Sequence, residues 1–311
     1  MKKYYGIIFS VLYALFFRFL VEIDVLDFNS LDYLIIVPVF LACIPFLLDP
    51  KSFVDNSILR TILFPLTASV LFLLVAFIFR LEDMGSLILL LPPYVVISVL
   101  VSLVLRVVVS IQVNYNKKSI AKSSLFLLAV PIAFGNIERY FEKKESKFEI
   151  FQTIRIDAPV DVVWNNLFSV PNLKNSIDNS VYNYLGFPNP VKSDYNSMTN
   201  VRLGYFDNGV ILNEKVVECS KYSKLSFDID VEKSKLDNSQ TFKHVFKNEN
   251  LVFNSITYKL KKLNSSQTEL TLLCNYKIRT NVPFYGEFCS KNIIYDFENK
   301  LLKALKKKIE E

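Results

Sequence analysis

At 311 residues, 51% of them hydrophobic, and with a mean hydropathy of +0.30, the chain is too apolar for one water-soluble domain and long enough for two. The net charge of +6 comes partly from a Lys-rich tail and from basic residues beside apolar runs, so it does not point to nucleic acid. One His argues against a His-based metal site, and no two of the four Cys have metal-ligand spacing. Seven Gly, with no Walker loop or dinucleotide fingerprint, leave phosphate-cradling loops scarce and imply no cofactor.

The apolar excess lies almost wholly before Lys117. Lys2 and Lys3 precede an apolar run from Tyr4 to Val21 that lacks a small-residue cleavage site, so it reads as a first transmembrane helix with Arg18 snorkelling near its end. Leu31 to Leu48, interrupted by Pro38 and Pro45, Thr61 to Phe79, and Leu87 to Leu105 read as three more spans. Arg18, Arg60, Arg80 and Arg106 all sit at span ends, and no Asp, Glu or His lies mid-span. The region, residues 1–137, therefore reads as an anchor or interaction platform rather than a transporter.

A fifth candidate, Ser119 to Ile137, decides on which side of the membrane the rest of the chain lies. Its strongly apolar centre, Leu125 to Phe134, falls short of the roughly 20 residues a span needs. It reads either as a span with terminal snorkelling or as an interfacial or buried segment. Loop charges suit a cytoplasmic N-terminus: Glu22, Asp24 and Asp27 follow the first span without a Lys or Arg, and Lys117, Lys118 and Lys122 follow the fourth. With five spans the remaining chain lies outside the cytoplasm; with four, inside.

A charged linker, residues 138–147, leads to a polar domain at 148–311. Phe148, Ile150, Ile154 and Ile156 give the inward side of a first strand, with a register change between the two pairs. Ala158-Pro159 ends the strand, and Val160, Val163, Trp164, Leu167 and Phe168 follow at helical spacing. Val170 to Ile177 reads as a second short helical piece, and Asn179 to Asn200 as a long loop with a short strand at Val181 to Leu185. Two strands then meet at Asp207-Asn208-Gly209, a hairpin signal because Asn-Gly takes positive φ at low cost. Leu225, Phe227, Ile229 and Val231 alternate with polar residues, as do Phe242, His244 and Phe246. Phe253 to Leu263 and Glu269 to Arg279 close an antiparallel meander. The last helix, Phe284 to about Ile309, carries Phe288, Ile293, Phe297, Leu301, Leu305 and Ile309 on one face.

The segment TIRIDAPVDVVW (Thr153 to Trp164), a strand stopped by Ala-Pro before a helix with an apolar-Trp pair, resembles the opening of the START-like domains, also called SRPBCC or polyketide cyclase/dehydrase-like. LGFPNP, VRLGYFDNGVILNEKV, KLSFDI and NYKIRTNVPFYGEF, from Leu185 onward, resemble later signatures of a membrane-tethered branch of that family. The resemblance implies an α+β helix-grip fold, a curved antiparallel sheet around the long C-terminal helix, with an apolar cavity between them. On that basis Trp164, Phe227, Phe242, Phe246, Phe297 and Leu301 are candidate ligand-binding residues. His244 is either a pocket acid/base or a core histidine, and Arg202 and Glu214 are either pocket polar groups or a cross-strand ion pair. No catalytic residue stands out. The expected partners are membrane lipids and an apolar small molecule or lipid, with a cyclase or dehydratase activity and an interaction protein with a collapsed pocket as alternatives.

Overall fold

A computed structural model of the chain describes residues 2–23, 25, 31–49, 57–114, 133–134, 137–138, 140–141, 143–236, 239–246 and 249–311. Contacts divide it into two units, Met1–Lys143 and Lys144–Glu311.

The first unit contains α1 (Lys2–Glu22), a π-helical turn (Asp32–Ile36) running into α2 (Val37–Leu48), α3 (Ile58–Ile78) and α4 (Met84–Asn114). Three stretches, Tyr4–Glu22, Ile58–Ile78 and Met84–Val108, are long and apolar enough to cross a membrane, and the expected second span is a shorter apolar helix, Tyr33–Leu48. Most of the fifth candidate falls outside the described residues. Pro38 occupies the first turn of α2, where a missing N–H is tolerated. Gly6 lets α1 approach α2 closely, because a Cβ there would come within 3.0 Å of the Pro45 Cα.

Arg18 does not snorkel. It is fully buried, its Nε donating to Glu82 Oε1 at 2.5 Å and its Nη1 to Glu22 Oε2 at 3.0 Å, while Nη2 reaches the Leu81 carbonyl. The turn after α3 supplies a carboxylate and a carbonyl oxygen, so protein groups replace the water that snorkelling would have sought.

The second unit is a seven-stranded sheet in the order β1-β7-β6-β5-β4-β3-β2, antiparallel throughout. β1 (Lys144–Ile156) starts upstream of the expected Phe148 and takes in the end of the expected linker. Its register against β7 is unbroken from Lys144↔Thr280 to Ile156↔Thr268, so Phe148, Ile150, Ile154 and Ile156 share a face without the anticipated register change. Helix α5 (Val160–Phe168) follows Pro159 as expected. The second helical piece is only a turn, closed by Ser176 and Ile177 N–H groups on the Leu173 carbonyl.

Val181–Tyr184 is a one-turn helix, α6, rather than a strand, because the Ser180 and Asn183 side chains cap it. The expected loop conceals a strand, β2 (Pro190–Asn196), paired with β3 (Val201–Phe206) at the sheet edge. Pro190 is tolerated as its first residue. The hairpin to β4 (Ile211–Ser220) turns at Gly209, whose φ of 84° explains the glycine.

β5 (Lys224–Lys235), β6 (Leu251–Lys262) and β7 (Thr268–Thr280) complete the meander. β7 alternates strictly, with Leu270, Leu272, Cys274, Tyr276 and Ile278 all buried. Register shifts in β2, β4 and β6 mark bulges that help bend the sheet into its curve. Between β5 and β6 lies α7 (Gln240–Phe246), and the chain ends in α8 (Pro283–Glu310).

Candidate functional site: the interior of the grip

The buried face of α8 is Ile294, Glu298, Leu301, Leu302 and Leu305, a helical i, i+4, i+7, i+8, i+11 set. It is rotated from the expected stripe, since Phe288 is 60% exposed. Leu301, Leu302 and Leu305 enter one apolar cluster with Trp164 and Leu167 of α5, Phe227 of β5, Tyr258 of β6, and Leu270 and Leu272 of β7. Ile294 enters a second with Cys274, Tyr276 and Ile278. Trp164 is 5% exposed, and its indole meets Phe168 and Tyr222 edge-on. Of the candidate residues, Trp164, Phe227 and Leu301 are thus brought together as core, with Phe297 packed at their margin.

Phe242, His244 and Phe246 are not a strand. Ser239 caps α7 by accepting the Phe242 N–H at 3.2 Å on its hydroxyl and the Lys243 N–H on its carbonyl, and a helix forms over what reads as alternation. In a helix Phe242 and Phe246 share a face while His244 points away from it, so the inference that His244 accompanies the two rings fails. His244 is buried, and its carbonyl accepts from Asn250 Nδ2 at 3.3 Å. The rings of Phe242 and Phe246 meet at 5.8 Å. Phe242 also meets Phe206 edge-on at 6.1 Å, and Phe206 stacks on Phe297 at 6.1 Å. Phe206, Phe242 and Phe297 remain half-buried, so this aromatic wall keeps solvent access.

Arg202 and Glu214 form the cross-strand ion pair. They are register partners on β3 and β4, both buried, with Arg202 Nε donating to Glu214 Oε2 and Nη1 donating to the Leu167 carbonyl at 2.8 Å. The guanidinium lies 3.9 Å from the Phe227 ring centroid and also engages Tyr258. Gly204 makes room for the carboxylate, since a Cβ there would come within 3.1 Å of Glu214 Oε1. Burial works against the charged guanidinium, but Glu214 and Tyr258 hold the Arg202 pKa above its ordinary value.

A long C-terminal helix thus lies against a curved antiparallel sheet, with α5 completing the core. The unit has a helix-grip fold. No family model matches the chain, and no curated protein does. Similar solved structures include an uncharacterised protein from Bacillus thuringiensis, 14% identical, covering 53% of this chain and 100% of its own, with a TM-score of 0.37. The Zhui aromatase/cyclase from a Streptomyces species is 12% identical, covering 53% and 94%, with a TM-score of 0.36. A START superfamily protein from Mycobacterium smegmatis is 9% identical, covering 52% and 97%, with a TM-score of 0.33.

The helix-grip interior contains one group absent from the expected site, Glu298. It is 1% exposed, and neither carboxylate oxygen has a hydrogen-bond partner among the described residues. Burial pushes its carboxyl up to about 8. A sequence signal existed: Glu298 stands four residues after Ile294 and four before Leu302, in the middle of an apolar face. Lys300, two residues on, is satisfied instead, reaching Asn183, Asn189 at 3.1 Å and Asp296 at 3.3 Å.

Proposed function

We propose that the chain is a membrane-anchored module whose helix-grip domain binds an apolar small molecule or lipid. The observation that carries this reading is the half-buried aromatic wall of Phe206, Phe242 and Phe297 beside the apolar clusters under α8. Solvent-reachable aromatic surface continuous with a core is what an apolar ligand covers, at on the order of 25 cal/mol per Å² before ordering costs. Within this reading Phe227, Phe246 and Leu301 back the wall, Trp164 closes the α5 end, and the Arg202–Glu214 pair supplies rigidity rather than a free charge. Membrane lipids are the surroundings of the first unit.

The test compares the purified full chain, held in a lipid-free amphipathic polymer, with its Leu301→Trp variant. Each is extracted with solvent and the extract read by mass spectrometry. Lipids carried by the membrane helices are common to both and cancel. A species depleted in the variant, with folding intact, is expected; identical extracts favour an interaction protein with a filled core.

The first unit is proposed to cross the membrane five times, with the N-terminus cytoplasmic and the helix-grip domain outside. The Arg18–Glu82 contact supports the alternation it requires, because the end of α1 and the turn after α3 then share one side. A reporter active only in the cytoplasm, fused after Glu311, is expected to be silent. Bright signal would return Leu125 to Phe134 to an interfacial role.

A further inference from the structure

We infer that Glu298 is the head-group anchor of the apolar site and that the ligand it holds is an uncharged apolar molecule ending in a hydroxyl, an inference that rests on the ligand-binding reading above. Glu298 lies at the seam of the two apolar clusters, between Ile294 and the Leu301–Leu302 pair on one face of α8. The titratable groups that sense it come from the sheet: Tyr258 on β6, and Cys274 and Tyr276 on β7. Tyr258 is engaged by Arg202, and the Tyr276 hydroxyl lies 3.2 Å from the Ser290 hydroxyl. Among the described residues neither Glu298 oxygen has a hydrogen-bond partner, and buried polar groups of native proteins are otherwise satisfied.

The chemistry of a carboxyl in apolar walls selects its partner. Burial keeps it protonated through neutral pH, so it offers one O–H donor and acceptor lone pairs. A hydroxyl answers both with a single oxygen. An ammonium head would require an ionised pair in surroundings that desolvate both charges, and a carboxylate head would bring its own unpaired charge into apolar walls that cannot solvate it. An alkyl or ring body attached to that hydroxyl lies naturally along the Leu301 cluster and the aromatic wall.

The experiment uses the full chain in lipid-free amphipathic polymer and four dodecyl probes: dodecane, dodecyl alcohol, dodecylamine and lauric acid. Uptake is counted above that of the Leu301→Trp variant, which corrects for partition into the polymer. The wild-type protein is expected to hold the alcohol about tenfold more tightly than dodecane, the scale of one satisfied buried hydrogen bond. Glu298→Leu is expected to bind both equally, and Glu298→Gln, which keeps a donor and an acceptor, to retain the preference. An alcohol preference unchanged in Glu298→Leu overturns the anchor, as does a wild-type preference for the amine or the acid. If all four probes bind the wild type alike, only the anchor falls; if none binds, the apolar-ligand reading falls with it. Should Glu298→Leu fail to fold, the wild-type ranking and the Glu298→Gln variant decide.

Discussion

Replacing Arg202 by Met is expected to destabilise the helix-grip domain by about 3 to 5 kcal/mol, the cost of leaving a buried charge without its partner. Glu214 is 7% exposed and faces Arg202 directly across the β3–β4 ladder, so its carboxylate loses its charge partner in a position largely shielded from solvent. The same change strips the hydrogen bond from the Leu167 carbonyl at the end of α5 and the cation from above the Phe227 ring. Glu214→Leu alone is expected to cost a similar amount, because it strands the guanidinium in the core. The double variant Arg202→Met/Glu214→Leu should recover most of the loss, since two apolar side chains desolvate no charge. Trp164, the only tryptophan and part of the same core cluster, reports the unfolding by its fluorescence. Single changes costing under about 1 kcal/mol, the range of exposed pairs, would show that the pair is wetter than its burial implies.

Stability of the helix-grip domain is expected to fall as pH rises from about 4.5 to about 8 through Glu298. Its folded carboxyl holds the proton up to about 8, against an ordinary value of 4.5, with burial as the cause. The folded state therefore binds more protons than the unfolded state within that window. Its relative stability is complete below the lower value and is lost progressively until the upper one is passed. At about 1.4 kcal/mol per pH unit the swing amounts to a few kcal/mol. Glu298→Leu is expected to flatten this part of the pH–stability curve and to be the more stable protein above pH 8, because an apolar side chain replaces an ionised carboxylate among apolar neighbours. Thermal unfolding across the pH range, read by Trp164 fluorescence, measures both effects. A slope that persists unchanged in Glu298→Leu would assign it to another carboxyl.

Wherever a pattern was long and local, reading it was enough. β7 alternates over its whole length, and the strict burial of Leu270, Leu272, Cys274, Tyr276 and Ile278 follows from that period alone. The hairpin at Asp207-Asn208-Gly209 follows from one glycine's tolerance of positive φ, and the stop at Ala158-Pro159 from a missing N–H. The division into an apolar region and a polar domain is a matter of composition, which no packing can reverse. Even α8 was legible as an element, with its buried face misjudged by a fraction of a turn.

What only the tertiary structure decided is which partner each group found. Phe242, His244 and Phe246 span too few residues for alternation to exclude a helix, and the Ser239 cap tipped the balance, turning His244 away from the two rings. β2 has little apolar alternation of its own and exists because β3 offers an open edge. Arg202 with Glu214, and Arg18 with Glu82, are separated along the chain, and each becomes a buried pair because folding puts its members within hydrogen-bond reach. Glu298 is the converse: a residue type that ordinarily marks an exposed helix face was carried under α8 by the apolar neighbours on its own stripe, since the free energy of burying Ile294, Leu301, Leu302 and Leu305 sets the rotation of the helix and the carboxyl goes where they go.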